Sequence, residues 1–598
     1  MTTHDGDAIE SASWAINGKC DPPKGQGGWS AFSRFGRVTT SIIHELVPTQ
    51  MARTAAFRSF ARLMTAAYLA EQRGGSATDA LEALREKTQA QASHRISRRQ
   101  FLLTAGATGA TLALNSLASF PPYIAVATPS PSSLSVGIVG AGLAGLTCAD
   151  RLKTRGVRAS IYDAGGRAGG RCWSLRDFFP GQVAERGGEL IDTLQNTMRE
   201  YAKRFSLRLE DVTTQPGEVF YYFSGQRYSE AAIVAEFREF VSVMRTDLRR
   251  LSREVTATNH TTDDVALDQT SLLAYLEGHN GARASAGPVT KAAIIAAYEA
   301  EYGLAADEQS CLNFLLFMHP DRRSTFTPFG VFSDERYHLV DGNDRIIEGL
   351  TRELPGQIIY NSRLLRVRRL SDGRIELTVQ QGTRTVTFAH DVVVLAIPFT
   401  TLRLVELDAG LALPPGQRLA ILTLGYGTNA KLNIGFSRRP WREIGGNGTA
   451  YSDLPNHQTT WEPNPTLGSN TRGILLDYSG GQRGARLNSA TVQIEAQRFL
   501  QDLERLYPGA MDAATQIHGQ YRAQLEHWPS NPMTKGSYTS YRPGQFTALA
   551  GLEGVRTGNL LFAGEHTNSF YEWQGFMEGA ALSGIAAAQS ILATAKMR

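Results

Sequence analysis

The chain has 598 residues, too many for one simple hydrophobic core, so two or more domains are expected. Its composition is that of an ordinary globular protein. The balance of 61 basic against 57 acidic residues leaves a formal charge of +4, which gives no long-range electrostatic case for a nucleic-acid partner. The cysteines (Cys20, Cys148, Cys172 and Cys311) are scattered without metal-ligand spacing and are too few for a disulfide framework, so no metal site is expected. Cys148 falls in a helical run and reads as a small core residue.

Residues 1–50 are rich in Gly, Pro, Ser and Thr without sustained periodicity, and read as loop or disorder. Residues 54–92 are rich in Ala, Leu, Glu and Arg and read as two helices broken at Gly74-Gly75. A surface or presequence hairpin without chemistry is the expectation for this N-terminal extension, residues 1–96. Residues 97–127 have the pattern of a twin-arginine export signal. Ser97-Arg98-Arg99-Gln100-Phe101-Leu102 supplies the paired arginines, Leu103 to Ala118 a mildly apolar stretch, and Ala125-Val126-Ala127 a small-residue cleavage site. The stretch is too short and too rich in Gly, Ala and Thr for a membrane span. The expected location is the periplasm or the exterior, or the cytoplasm if the motif is not used. Signal n-regions are short, so Met51 and Met64 are alternative starts. Cleavage after Ala127 would begin the mature chain just ahead of the first strand.

Residues 136–171 organise the rest. Val136, Ile138 and Val139 form a short β-run into a glycine turn with Gly140, Gly142 and Gly145; Ala144 lies within it. A helical stretch follows from Leu146 to Lys153. A second apolar run, Ala159 to Tyr162, ends on Asp163. This is a βαβ unit with a dinucleotide fingerprint, and the acid falls roughly 20 residues after the first glycine as that fold requires. Gly140 permits the tight turn, Gly142 lets backbone approach a pyrophosphate, and Gly145 lets helix and strand pack closely. The helix N-terminus offers free N–H groups to phosphates. Asp163 can accept hydrogen bonds from ribose hydroxyls.

After Asp163 come Ala164, Arg167, Gly169, Gly170 and Arg171, and this continuation resembles the flavin-containing amine oxidase family, which spans monoamine, polyamine and L-amino acid oxidases. The resemblance runs through separated blocks in order over roughly residues 134–592: Gly187-Gly188-Glu189 to Asn196, Arg336–Leu350, Leu560 to Thr567 with Gly564-Glu565, and Gly575-Phe576-Met577 opening an Ala-rich helix. It implies an α/β fold, a Rossmann-type FAD-binding domain interleaved with an α+β substrate domain. The FAD-binding segments would be 134–195, 340–400 and 535–598, and the substrate-binding segments 196–339 and 401–534. Residues 197–310 read mainly as amphipathic helices. The runs Gln357–Arg368, Ile375–Val379, Thr385–Ala389 and Val392–Ala396 read as strands, with Leu364 expected against the cofactor.

The resemblance implies FAD and oxidation of an amine C–N bond. A neutral amine delivers a hydride equivalent to flavin N5, the imine hydrolyses, and O2 returns the flavin to its oxidised state with release of H2O2. It places Arg167 and Arg171 at the pyrophosphate and Glu565 at the ribityl or phosphate part. Residues near Met577 would aim N–H groups at the pyrimidine, where they favour negative charge. Lys431 matches the family lysine that holds a water against N5. A charged residue in an apolar strand also suggests a paired interior site. Ser537 stands where monoamine oxidases carry a flavin-linking cysteine, so non-covalent FAD is expected. Tyr538 and Phe576 match the two walls of an aromatic cage around the amine; Tyr571 and Trp573 are nearby. Family members acting on L-amino acids carry an arginine just after the Gly-Gly pair. Here that stretch holds Glu189 and Asp192, which favour a cation, and Arg186 is an alternative partner for either acid. The expected partners are an amine substrate and O2, with a homodimer an open assembly. An L-amino acid oxidase with its carboxylate arginine elsewhere, for example Arg322 or Arg323, stays open as the alternative.

Overall fold

The computed structural model describes residues 55–86, 134–214, 216–252, 254–278, 285–317, 334–465, 471–567 and 573–595. The twin-arginine segment, Arg322, Arg323 and Tyr571 lie outside them.

Five short strands make one parallel sheet, in the order Leu560–Phe562, Val392–Leu395, Val136–Val139, Ala159–Tyr162, Ile358–Ile359. Val136–Val139 is buried at every residue, as a parallel strand covered on both faces must be. The chain leaves it for Ala159–Tyr162 on one side and later adds Val392–Leu395 on the other. The strand order therefore reverses beside Val136–Val139, and the crevice at its carboxyl end is where open α/β sheets bind ligands. Helix Leu143–Lys153 covers the sheet and packs against the C-terminal helix Met577–Ala595. They approach so closely that a Cβ on Gly584 would collide with the Ala144 carbonyl.

A second, seven-stranded sheet runs Ala523–His527, Ala430–Phe436, Gly473–Ser479, Thr459–Trp461, Gly446–Ser452, Glu218–Phe223, Gln226–Tyr228. A four-stranded sheet of Arg384–His390, Ile375–Gln381, Ser362–Arg369 and Glu406–Leu407 carries Leu364 beside a bulge. The parallel sheet draws only on segments 134–195, 340–400 and 535–598, and the seven-stranded sheet only on 196–339 and 401–534. This is the interleaved α/β fold expected from the sequence.

One expectation is refined and one corrected. Residues 197–310 are mainly helical, as read, but carry strands as well. Glu218–Phe223 and Gln226–Tyr228 form a hairpin around Ser224-Gly225, whose φ angles of 50° and 80° suit a two-residue turn of the primed class. Its Val-Phe-Tyr-Tyr-Phe run is apolar throughout rather than alternating, which hides a strand from a periodicity reading. Residues 55–86 are not a surface hairpin. Helix Ala55–Arg73 places Phe60, Leu63, Met64 and Ala67, each 2% exposed or less, in the largest core cluster. Their spacing of three and four is an apolar helix stripe, and a stripe needs a partner. The partners are helices Glu230–Arg250 and Pro288–Tyr302. Met64 therefore sits mid-helix in the core, and a chain begun there would lack Phe60 and Leu63.

Candidate active site

The glycine turn is built as the βαβ reading requires, but each glycine is there for its own reason. Gly140 has φ +102°, and a Cβ on it would stand 2.5 Å from the Ala396 carbonyl oxygen. A Cβ on Gly145 would run into the Gly140 carbonyl, so this glycine sets the distance between helix and strand. Gly142 is different. Its backbone is ordinary (φ −74°, ψ 179°), and a Cβ there would meet nothing within 4 Å. The space above Gly142 is kept open by the fold, and the N-terminus of Leu143–Lys153, which has no side-chain cap, opens onto it. Asp163 fixes the turn: its carboxylate accepts the Ala141 N–H at 2.7 Å and the Gly165 N–H at 2.8 Å. Burial pushes this carboxyl above its ordinary range, and the two N–H donors oppose that rise.

Arg171 donates to the Ser537 carbonyl at 2.6 Å and pairs with Glu565 at 2.8 Å. The other oxygen of Glu565 accepts the Gly575 N–H at 2.9 Å, which ties down the loop ahead of helix Met577–Ala595. Arg167 and Arg186 lie over Trp173, 4.0 and 4.2 Å from the ring centroid. Gly188 backs onto Met577, whose sulfur would be 2.9 Å from a Cβ there. His566 is 1% exposed, and neither ring nitrogen meets a hydrogen-bond partner among the described residues. Burial pushes it down to about 4, so it is neutral at neutral pH. An open glycine cradle at a helix N-terminus fits a pyrophosphate-bearing dinucleotide, and the orphaned buried imidazole lines the same cavity.

Lys431 lies in a strand whose seven residues are all buried, Ala430–Phe436, between Gly473–Ser479 and Ala523–His527. Its ammonium donates to Glu189 Oε2 at 2.6 Å and to the Gly187 carbonyl at 2.8 Å. The other oxygen of Glu189 accepts the Trp461 indole N–H at 2.8 Å. Both charged side chains are 7% exposed or less, so this is a buried pair with hydrogen bonds to complete it. Glu189 is thus not held by Arg186, which pairs with Glu526, and its carboxylate is already engaged by Lys431. The Trp461 and Tyr478 rings stand 5.9 and 5.7 Å from the ammonium.

Tyr538 is half of a hydroxyl pair with Tyr478, at 2.9 Å, and donates to the Glu301 carbonyl at 2.7 Å. Phe576 packs edge-on against Trp573, with centroids 5.8 Å apart, while Trp573 itself is core. Ser537 donates to Asn429 at 2.6 Å. Asp192 accepts the Gln195 amide at 3.0 Å and the Glu335 backbone N–H at 2.5 Å, so its first task is to hold the chain ahead of strand Tyr337–Leu339. Glu335, itself 1% exposed, adds a carboxylate that the sequence reading missed.

These groups share one cavity of about 850 Å³. It is lined by Gly140, Gly142, Ala144, Asp163, Ala164, Arg167, Gly170, Arg171, Gly187, Gly188, Glu189, Leu364, Gly564, Glu565 and Met577. Asp192, Lys431, Tyr538 and Phe576 line it as well, and Gly145 lies behind it in the helix–strand contact. Trp173, Glu335, Trp461, Tyr478, Trp528 and His566 also line it and were not foreseen. Charge and aromaticity alone gave no reason to pick them.

The chain is similar to known proteins over this same span. A family model described as flavin containing amine oxidoreductase matches residues 143–592. The Bacillus subtilis (strain 168) protein YobN, provisionally named as an L-amino-acid oxidase, is 25% identical over 484 residues, covering 76% of this chain and 94% of YobN. An L-amino-acid oxidase of Siganus canaliculatus is 25% identical over 481 residues, covering 77% and 85%. Among solved structures, putrescine oxidase bound to putrescine aligns with a TM-score of 0.62 at 20% identity, covering 77% of this chain and 99% of that one. Cyclohexylamine oxidase from Brevibacterium oxydans IH-35A aligns at 0.64 and 18%, again over 77% and 99%. With the family model spanning most of the chain and the cavity built from the same segments, this chain belongs to the flavin-containing amine oxidoreductases, and it is an oxidoreductase.

Proposed function

We propose that the chain binds FAD without a covalent link and oxidises the C–N bond of a monoamine or polyamine. The observation that carries this reading is the single cavity, lined both by the glycine cradle and by Lys431, Trp461, Tyr478 and Tyr538. Arg171, Glu565, the Leu143–Lys153 N-terminus and His566 would hold the cofactor, and Ser537 offers no thiol for a linkage. Bound there, FAD would supply the redox chemistry, with the amine as two-electron donor and O2 as acceptor. The protein positions and tunes. The aromatic faces favour an amine nitrogen. Glu189 and the Gly187 carbonyl hold Lys431 in place and leave one ammonium N–H for a further partner. Asp192 and Glu335 add acidic groups that suit a second, cationic nitrogen. The arginines lining the cavity among the described residues, Arg167, Arg171 and Arg363, come from cofactor-side segments.

The sequence relatives named as L-amino-acid oxidases support a second reading, an L-amino acid oxidised to a 2-oxo acid. Anaerobic bleaching of the flavin absorbance separates the two. Bleaching by amines but not by L-amino acids is the expected result, and the reverse would install the second reading. Export in folded form, carried by Arg98-Arg99, belongs to the same proposal. Replacing both arginines with lysine should leave the protein in the cytoplasmic fraction, and unchanged fractionation would remove the export reading.

A further inference from the structure

Residues 55–86 precede the twin-arginine segment, and cleavage after Ala127 would part them from everything that follows. Their packing is that of an interior. Phe60 meets the ring of Tyr298 at 6.3 Å and that of Tyr451 at 6.2 Å. Tyr298 stacks on Tyr302 within helix Pro288–Tyr302, and the Glu301 carbonyl of that helix takes the Tyr538 hydroxyl. A single helix therefore stands between the N-terminal hairpin and the cavity wall. Polar contacts close the rim. Arg62 and Arg85 both pair with Glu230, Arg85 at 3.5 Å. Arg238 pairs with Glu71 at 3.8 Å and donates to the Gly75 carbonyl at 2.6 Å. An apolar centre with a charged rim is the anatomy of a lasting protein interface, and none of these contacts runs through residues 87–133.

We propose that residues 55–86 are a structural piece of the substrate-side core that stays bound when the chain is cut between Glu86 and Leu134. Hydrolysis of a peptide bond in that stretch, at the export cleavage site or by another protease, then yields a two-piece protein rather than a trimmed one. The surface made by helices Glu230–Arg250 and Pro288–Tyr302 has this chain's own N-terminal hairpin as its occupant. This inference does not depend on the identity of the substrate.

The test uses the full chain with a site-specific protease sequence inserted between Gly109 and Ala110. The flavin-loaded protein is cut, then run on native gel filtration and on a denaturing gel. Both fragments should elute in one peak in equal amounts, with flavin absorbance retained and a single unfolding transition at the midpoint of the uncut protein. Release of the short fragment, or precipitation on cutting, would overturn the proposal. Ala67→Arg puts a charge at a fully buried position and should release the fragment after cutting. If that variant does not fold, Glu230→Ala removes both arginine pairs and should weaken retention. Full retention in the folded, cut variant would show that the observed interface is not what holds the pieces together.

Discussion

Lys431→Met takes one partner from a buried ion pair and leaves the other. Glu189 keeps the Trp461 indole at 2.8 Å but loses the ammonium at 2.6 Å, in a site where both side chains are 7% exposed or less. Breaking such a pair from one side typically costs about 3–5 kcal/mol. The double variant Lys431→Met with Glu189→Gln removes both charges and should cost far less than the sum of its parts. Thermal unfolding of the flavin-loaded proteins gives the stabilities, and stopped-flow flavin reduction gives the chemistry. The proposed role adds one requirement: the double variant should regain stability without regaining the reduction rate. Additive losses in the double variant, or no loss in Lys431→Met, would refute the pairing argument. Recovery of the rate would refute the role of the ammonium.

Gly142→Ala should leave the fold intact, since its backbone is ordinary and its Cβ meets nothing, yet it should lower flavin content at a given FAD concentration. Gly145→Ala should instead reduce soluble protein, and a fully flavin-loaded Gly142→Ala would show that the open space is not the cofactor's. Asp192→Ala should raise KM for a diamine more than for a monoamine, partly by freeing Glu335, and equal effects on both would remove its part in cation binding. Burial pushes the Glu185 carboxyl up to about 8, so the folded protein keeps a proton that the unfolded chain sheds in the ordinary glutamate range. Its contribution is complete below that range and is lost as the pH rises to about 8. Glu185→Gln, neutral at every pH, should gain on the parent between pH 5 and 8 by up to about 4 kcal/mol at about 1.4 kcal/mol per unit. A constant difference in melting temperature across that range would contradict the sign.

How legible each part was depends on how far away its cause lies. The cradle could be read because its determinants are local: Gly140, Gly142, Gly145 and Asp163 answer to one turn, one helix start and one strand end. Resemblance named Lys431, Tyr538, Phe576 and Asp192 for the amine side, but their pairings could not be read, because they are assembled by sheet register. Lys431 meets Glu189 across 242 residues of chain and Trp461 meets Glu189 across 272, and no spacing announces either. The N-terminal helix shows an intermediate case. The stripe at Phe60, Leu63, Met64 and Ala67 states that a partner exists, but Glu230, 168 residues beyond Arg62, cannot be inferred from it. Strand Ala430–Phe436 makes the limit explicit. All seven residues are buried, so alternation between faces says nothing about which side chains point to the cavity. What elementary chemistry does say is that a lysine in such a strand must be paired, because an unpaired buried charge would shed its proton or unfold its surroundings. The sequence thus pointed to a paired interior site for Lys431, with a solvent-facing edge-strand lysine as the alternative reading. The packing of the Gly187-Gly188 turn against that strand shows that the partner is Glu189.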